Sequence, residues 1–191
     1  MKKALLLVSV LFISVISTAC INNYAVQELN NKAMAFMQEG DYQSAIERLK
    51  SCVDLDGTIF ETRYNLAIAY VEAGDYPKAI EAFEQAIKLN SEFADVYYSS
   101  AVAEENLAHA LIDGDYLVDE NSVYTKQVDV NKEDIVITDS VKTEIVLLLG
   151  NSINDYKTYL DKNLNANDAA AVSSKIEEIT VLLAKYNSDM S

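Results

Sequence analysis

The hydrophobic positions of the chain fall into three patterns: an unbroken apolar run near the amino terminus, a middle block that repeats itself, and a stripe at helical spacing near the carboxyl end. The repeat is the most informative. Gly40-Asp41-Tyr42-Gln43-Ser44-Ala45-Ile46-Glu47 returns as Gly74-Asp75-Tyr76-Pro77-Lys78-Ala79-Ile80-Glu81, an offset of 34 residues. The same offset pairs Ala33 with Ala67, Phe36 with Tyr70, Leu49 with Phe83, Cys52 with Ala86 and Leu55 with Leu89. Each block predicts two helices joined at a glycine. Gly40 and Gly74 can take positive φ and close the first helix. Asp41 and Asp75 then stand where a carboxylate accepts free N–H groups of the second helix. Pro77 falls in that helix's first turn, where its missing N–H is not needed. Ala45 and Ala79 let paired helices approach closely, and Tyr42, Tyr76, Phe36, Tyr70 and Phe83 fill the layer between units. Those aromatics read as core, not as a cofactor box.

A third block opens at about Phe93, with Tyr97, Ala101 and Glu104 at the equivalent places. Its schedule then breaks: Gly114-Asp115-Tyr116 arrives six residues late, with no second-helix pattern after it. That pattern appears only at Ser152–Leu160, so an insertion over residues 113–138 splits the unit. Within it, Ser122–Val130 and Asp134–Thr138 are β-branched runs flanking the turn-like Asn131–Asp134, which predicts a short β-hairpin, with an irregular loop as the alternative. Beyond the insertion, Asp139 or Ser140 is placed to cap a helix reaching about Leu164, kinked or interrupted at Gly150. A last helix over residues 168–187 carries Val172, Ile176, Ile179, Leu183 and Tyr186 at spacings of 4, 3, 4 and 3. That single stripe suits a helix closing the open end of a solenoid, with a coiled-coil seam as the rival.

This 34-residue unit resembles the tetratricopeptide repeat (TPR). The likeness covers residues 26–112 well and 140–187 loosely. The first unit is the looser one, with Lys32-Ala33 where Leu-Gly is usual, and both units lack the usual closing proline, having Gly57 and Ser91 there. The resemblance implies an all-α fold: a helix-turn-helix solenoid of two clear repeats, a third split by the insertion, and a C-terminal capping helix.

The amino terminus reads as an export signal. Lys2 and Lys3 precede an apolar run, Ala4–Ile16, too short to cross a hydrocarbon core ~30 Å thick and suited to a cleavable signal. Ser17-Thr18-Ala19-Cys20 resembles the bacterial lipobox, whose cysteine is acylated after cleavage, although Ser17 stands where leucine is usual. The expected order is therefore a signal peptide over 1–19, a lipidated start and linker over 20–25, repeats over 26–112, the insertion, and two closing helices over 139–191. A plain secretory signal cut near Ala19 and an uncleaved anchor are the alternatives. Ile21, rather than Asp, after the cysteine favours the outer membrane, facing the periplasm, in a didermal host.

Composition narrows the function. The chain has 191 residues, 50% apolar, with five Gly, one Pro and no Trp, too few turn residues for a sandwich or barrel. Lys and Arg number 15 against 30 Asp and Glu, net −15, and there is no basic run, so nucleic-acid binding is excluded. Cleavage before Cys20 removes two lysines and no acids, leaving 13 basic against 30 acidic residues, net −17. Such a body stands off anionic lipid, so its membrane attachment rests on the acyl chains. One histidine, His109, and two cysteines, Cys20 and Cys52, are too few for a usual zinc or iron–sulfur site. An EF-hand loop starting at Asp113 fails at Leu117 and Tyr124. His109 reads as structural or exposed. Cys52 reads as a small buried hydrophobe, with a redox thiol or a disulfide to Cys20 as its alternatives. No nucleophile–base pair and no glycine-rich phosphate loop stands out, so neither enzyme nor cofactor is expected.

TPR geometry implies a partner groove lined by the first helix of each unit. Carried over position by position, it comprises Gln27, Asn30, Met34, Met37 and Gln38; Glu61, Tyr64, Ile68, Val71 and Glu72; and Asp95, Tyr98, Val102, Glu105 and Asn106. This face is apolar in its middle, acidic at its edge and free of Lys and Arg. TPR domains that hold terminal carboxylates use a cluster of Lys, Arg and Asn. Only Asn65 fits that cluster here, while Asn30, Met34, Asp95 and Ser99 do not. A partner with basic and apolar character is expected. The chain reads as a lipid-anchored adaptor of the bacterial envelope. The alternatives are a pilotin-like factor escorting an exported subunit, self-assembly through the solenoid ends, and an enzyme site within the insertion.

Overall fold

The glycine closing each first helix sets the architecture. Gly40 and Gly74 adopt φ of 77° and 68°. The amides of Asp41 and Asp75 then reach back to the carbonyls of Phe36 and Tyr70, both at 2.9 Å, satisfying a helix end and turning the chain. The computed structural model describes residues 24–119, 121–127, 135–164 and 166–188. Helix α1 covers residues 24–39 and pairs with α2, Tyr42–Leu55; α3, Phe60–Glu72, pairs with α4, Tyr76–Leu89. A longer pair follows, α5 (Ala94–Ile112) and α6 (Asp139–Lys162), and α7 (Ala169–Ser188) packs on α6.

The caps divide. Asp41 accepts the Ser44 amide at 3.1 Å, and its carboxyl is held below the usual range by hydrogen bonds from the Ser44 side chain and backbone. Asp75 makes no such bond and pairs with Lys78 instead. Pro77 leaves the first turn of α4 one donor short, so a side-chain acceptor has less to satisfy there.

Three apolar clusters run along the stack. Ala33, Ala45, Leu49, Leu66 and Ala69 join α1, α2 and α3. Ala67, Ala79, Phe83, Ala86, Val96 and Ala103 join α3, α4 and α5. The third, with Leu107, Leu111, Ile145, Leu149, Tyr156, Val172 and Ile179, joins α5, α6 and α7. Alanine dominates the first two because the paired helices approach closely; the third buries larger side chains.

Helix α5 has 19 residues against 13 in α3, an extension of six. That extension delays the glycine of the third unit, Gly114, which still has φ 75°. The added turns bury Ala108, Ala110 and Leu111 against α6. The cap of α6 is Thr138, whose hydroxyl accepts the Val141 amide at 3.4 Å, rather than Asp139 or Ser140. Gly150 does not end α6, which runs through it to Lys162, held on both sides by buried Leu148, Leu149, Ser152 and Ile153.

The hairpin forms in a different place from that expected. Strand β1, Tyr116–Val118, pairs antiparallel with β2, Tyr124–Lys126, Leu117 standing opposite Thr125. Residues 135–138 are not a strand, and the expected turn at 131–134 lies outside the described residues. Two features decide the register. Tyr116 and Val118 are buried against the α5–α6 pair while Leu117 points outward. Asp119 then forms the turn, its carboxylate accepting the amides of Asn121 and Val123 at 2.8 and 2.9 Å. The hairpin reaches back to the α3–α4 turn, where the Tyr116 hydroxyl donates to the Gly74 carbonyl at 2.8 Å. None of the described helices is long and apolar enough to cross a membrane. The signal and lipidation positions, Cys20 included, lie outside the described residues.

Candidate peptide-binding groove

The 34-residue spacing places the fifteen groove positions in five ranks across α1, α3 and α5: Gln27/Glu61/Asp95, Asn30/Tyr64/Tyr98, Met34/Ile68/Val102, Met37/Val71/Glu105 and Gln38/Glu72/Asn106. All are exposed or half-buried. The first rank is wholly exposed and carries two carboxylates. Met34 keeps 40% of its surface exposed, and Ile68 and Val102 beside it are half-buried.

Two side-chain bonds tie these helices together near the second rank. Asn30 donates to Thr62 at 3.1 Å, joining α1 to α3, and the hydroxyls of Tyr64 and Ser99 share a 3.1 Å bond that joins α3 to α5. The Tyr64 ring stacks on Phe60 at 5.9 Å and meets Phe93 and Phe83 at 5.5 and 6.0 Å. Tyr64 therefore belongs to the second core cluster as well as to the face. Tyr98, 38% exposed, lies edge-on to Tyr156 and Tyr159 of α6.

Glu105 is engaged from three sides. It accepts from Lys175 and from the Tyr156 hydroxyl, both at 3.2 Å, and the His109 ring nitrogen lies 3.7 Å away. Burial, then the Glu105 charge, pushes the Tyr156 hydroxyl pKa upward, while the bond to Glu105 raises that of the Lys175 ammonium. The third column of the face is thus pinned to α6 and α7, and the acids of the face with no cation partner among the described residues are Glu61, Glu72 and Asp95.

Of the side chains picked out for their chemistry, His109 borders this face at Glu105 and Cys52 lies in the core. His109 is exposed. Cys52 is fully buried, its sulfur 3.5 Å from the Val26 carbonyl, and burial raises its thiol pKa. Among the described residues no group of three or more His, Cys, Asp and Glu is arranged to hold a metal ion.

One polar site went unread in the sequence although its signal was present. Glu104 stands 34 residues after Tyr70 and 68 after Phe36, in the slot where the other units place a half-buried aromatic ring. It is 6% exposed, and its Oε2 has no hydrogen-bond partner. Burial, with Asp155 and Glu84 nearby, pushes its pKa up to about 9. Asp155 is raised as well, chiefly by burial, and bonds Ser100, one turn before Glu104 on α5.

Residues 36–105 match the family model of the tetratricopeptide repeat. This stretch is similar to the TPR, and the helices around it take the fold of TPR domains. Solved structures agree. The first TPR domain of human RPAP3 superposes with a TM-score of 0.60 at 17% identity, covering 85% of this chain and 97% of that one. The second TPR domain of the same human protein, solved with an HSP70 peptide, gives 0.58 at 18%, covering 82% and 98%. The Yersinia enterocolitica type III secretion translocator chaperone SycD, solved with a peptide of the translocator YopD, gives 0.52 at 12%, covering 86% and 94%. At these identities the likeness is one of fold. No curated protein matches the sequence.

Proposed function

We propose that the chain is a lipid-anchored TPR adaptor of the bacterial envelope, holding a segment of another protein that carries basic and apolar side chains. The observation that carries this reading is the composition of the face on α1, α3 and α5: fifteen positions with four acids and no Lys or Arg. Its middle offers Met34, Ile68 and Val102, and its free carboxylates flank them. An apolar centre with an acidic margin selects the opposite charge at the margin, where unlike charges speed encounter and like ones penalise it. Support for a polypeptide as ligand comes from RPAP3 and SycD, each solved with a partner's peptide. The anchor rests on the lipobox-like Ser17–Cys20 that follows the apolar run Ala4–Ile16.

In-cell crosslinking of the full chain tests both parts. Glu61→Lys, Glu72→Lys and Asp95→Lys, all exposed, are expected to abolish one envelope crosslink while leaving the helical circular dichroism unchanged. Cys20→Ser is expected to release the chain from membranes at a carbonate wash. An unchanged crosslink removes the groove reading, and retention on the membrane removes the lipid anchor.

A further inference from the structure

The inserted hairpin does more than cover the third unit. Where it lies against the α3–α4 turn it walls one side of an open cleft of about 470 Å³, with α2 forming the other side. Lysines from three separate parts of the chain converge there: Lys50 from α2, Lys78 from α4 and Lys126 from β2. Their surroundings differ from those of most paired lysines in this molecule. Lys32, Lys142, Lys162 and Lys175 each face a carboxylate. Lys126 instead meets the carbonyls of Gly74 and Ala73, at 3.2 and 3.5 Å, and Lys50 is exposed with no ion-pair partner within 4 Å among the described residues. The one acid of the lining, Asp75, is already bound to Lys78, which also lies over the Tyr70 ring at 5.7 Å. Among the described residues, two of these three lysines have no carboxylate partner, in a chain of net charge −15.

We propose that this cleft is a second docking site and that it takes a short carboxylate-bearing segment of a partner polypeptide. Tyr70, Tyr116 and Tyr124 supply aromatic walls, which suit the body of a peptide, and the ammonium groups on flexible stems suit single carboxylates spaced along it. The site is short because the recess that continues it along α2 and α4 adds Arg63 but also Asp54 and Glu81. A bilayer is the poorer occupant. The acidic body is repelled by anionic lipid before the cleft reaches a headgroup, whereas a peptide enters alone. None of the fifteen groove positions lines the cleft, so the two sites stand or fall separately. The insertion is what makes the site: without β2 there is neither Lys126 nor the wall facing α2.

Fluorescence anisotropy of a labelled oligoglutamate peptide with the full chain tests this. Saturable binding that weakens with salt is expected, with Lys50→Glu plus Lys126→Glu reducing affinity about tenfold or more. Lys88→Glu plus Lys157→Glu, elsewhere on the surface, is expected to leave it unchanged. Lys50→Glu alone, on an exposed helix face, gives a reduction that does not depend on how the hairpin tolerates a change at Lys126. Three results overturn the proposal: no saturable binding, equal loss in the two double variants, or binding of phosphatidylglycerol vesicles through Lys50 and Lys126 with none of oligoglutamate.

Discussion

Replacing Glu104 with glutamine is expected to stabilise the folded chain at pH 8 by about 2–4 kcal/mol and to remove most of its loss of stability with rising pH. The reason is the slot it fills. Phe36 and Tyr70 occupy the matching places in the first two units, packed against the first and second core clusters. Glu104 brings a carboxyl there with one oxygen unpartnered, beside Asp155 on α6 and Glu84 on α4. Its folded pKa is raised from 4.5 to about 9, so the proton is held more tightly folded than unfolded. Below 4.5 both states carry the proton and the group adds no pH dependence. Between 4.5 and about 9 the unfolded chain releases it and the folded chain keeps it, so stability falls as pH rises. The limiting slope is about 1.4 kcal/mol per pH unit. Above that window the folded chain ionises too and the loss is complete. Asp155, also raised, adds a contribution of the same sign. Glutamine keeps the shape and removes the titration, though its amide leaves a polar group to satisfy, which limits the gain. Urea midpoints of both chains at pH 5, 6.5 and 8 read the effect. Parallel pH profiles would show that the carboxylate finds solvent or a partner.

The same residue marks how far the sequence can be read. The 34-residue offset carries the first four helices, their glycine turns and the register of the five ranks, because each depends on contacts within a unit or between neighbours. A Glu in an aromatic slot is legible by the same alignment, since it needs only Phe36 and Tyr70 for comparison. The hairpin is a different case. Its β-branched content is visible, but its register is set by burial of Tyr116 and Val118 on helices that the insertion itself separates, and by the Asp119 turn. The run ending at Thr138 looks like a strand from composition, yet its threonine caps α6. The Lys50–Lys78–Lys126 cleft has no local signature at all. It exists because Tyr116 reaches Gly74, 42 residues earlier in the chain.

Tyr64→Ala is expected to lower stability by about 3 kcal/mol or more, a drop in melting temperature of roughly 6–12 °C for a chain of this size. From its position alone, Tyr64 is a surface residue of the groove. In the fold its ring completes an aromatic group with Phe60, Phe83 and Phe93, in which Phe60 and Phe93 also meet at 5.1 Å. Its hydroxyl bonds Ser99 across to α5. Alanine removes the ring from between α3, α4 and α5 and leaves a cavity that these helices can close only by shifting. Tyr64→Phe keeps the packing and forfeits the Ser99 bond, with an expected loss of about 1 kcal/mol. Tyr98 is bound on fewer sides, so its alanine variant is expected to fall between the two. This ordering bears on the proposed function, because a partner lying along the face would meet rings already fixed by the core and would spend little entropy in ordering them. It also sets which variants can report on binding: the exposed acids probe the groove alone, whereas Tyr64→Ala probes groove and core together. Thermal melts followed by circular dichroism decide the matter. A Tyr64→Ala melt matching the parent's would assign the ring to the binding face alone.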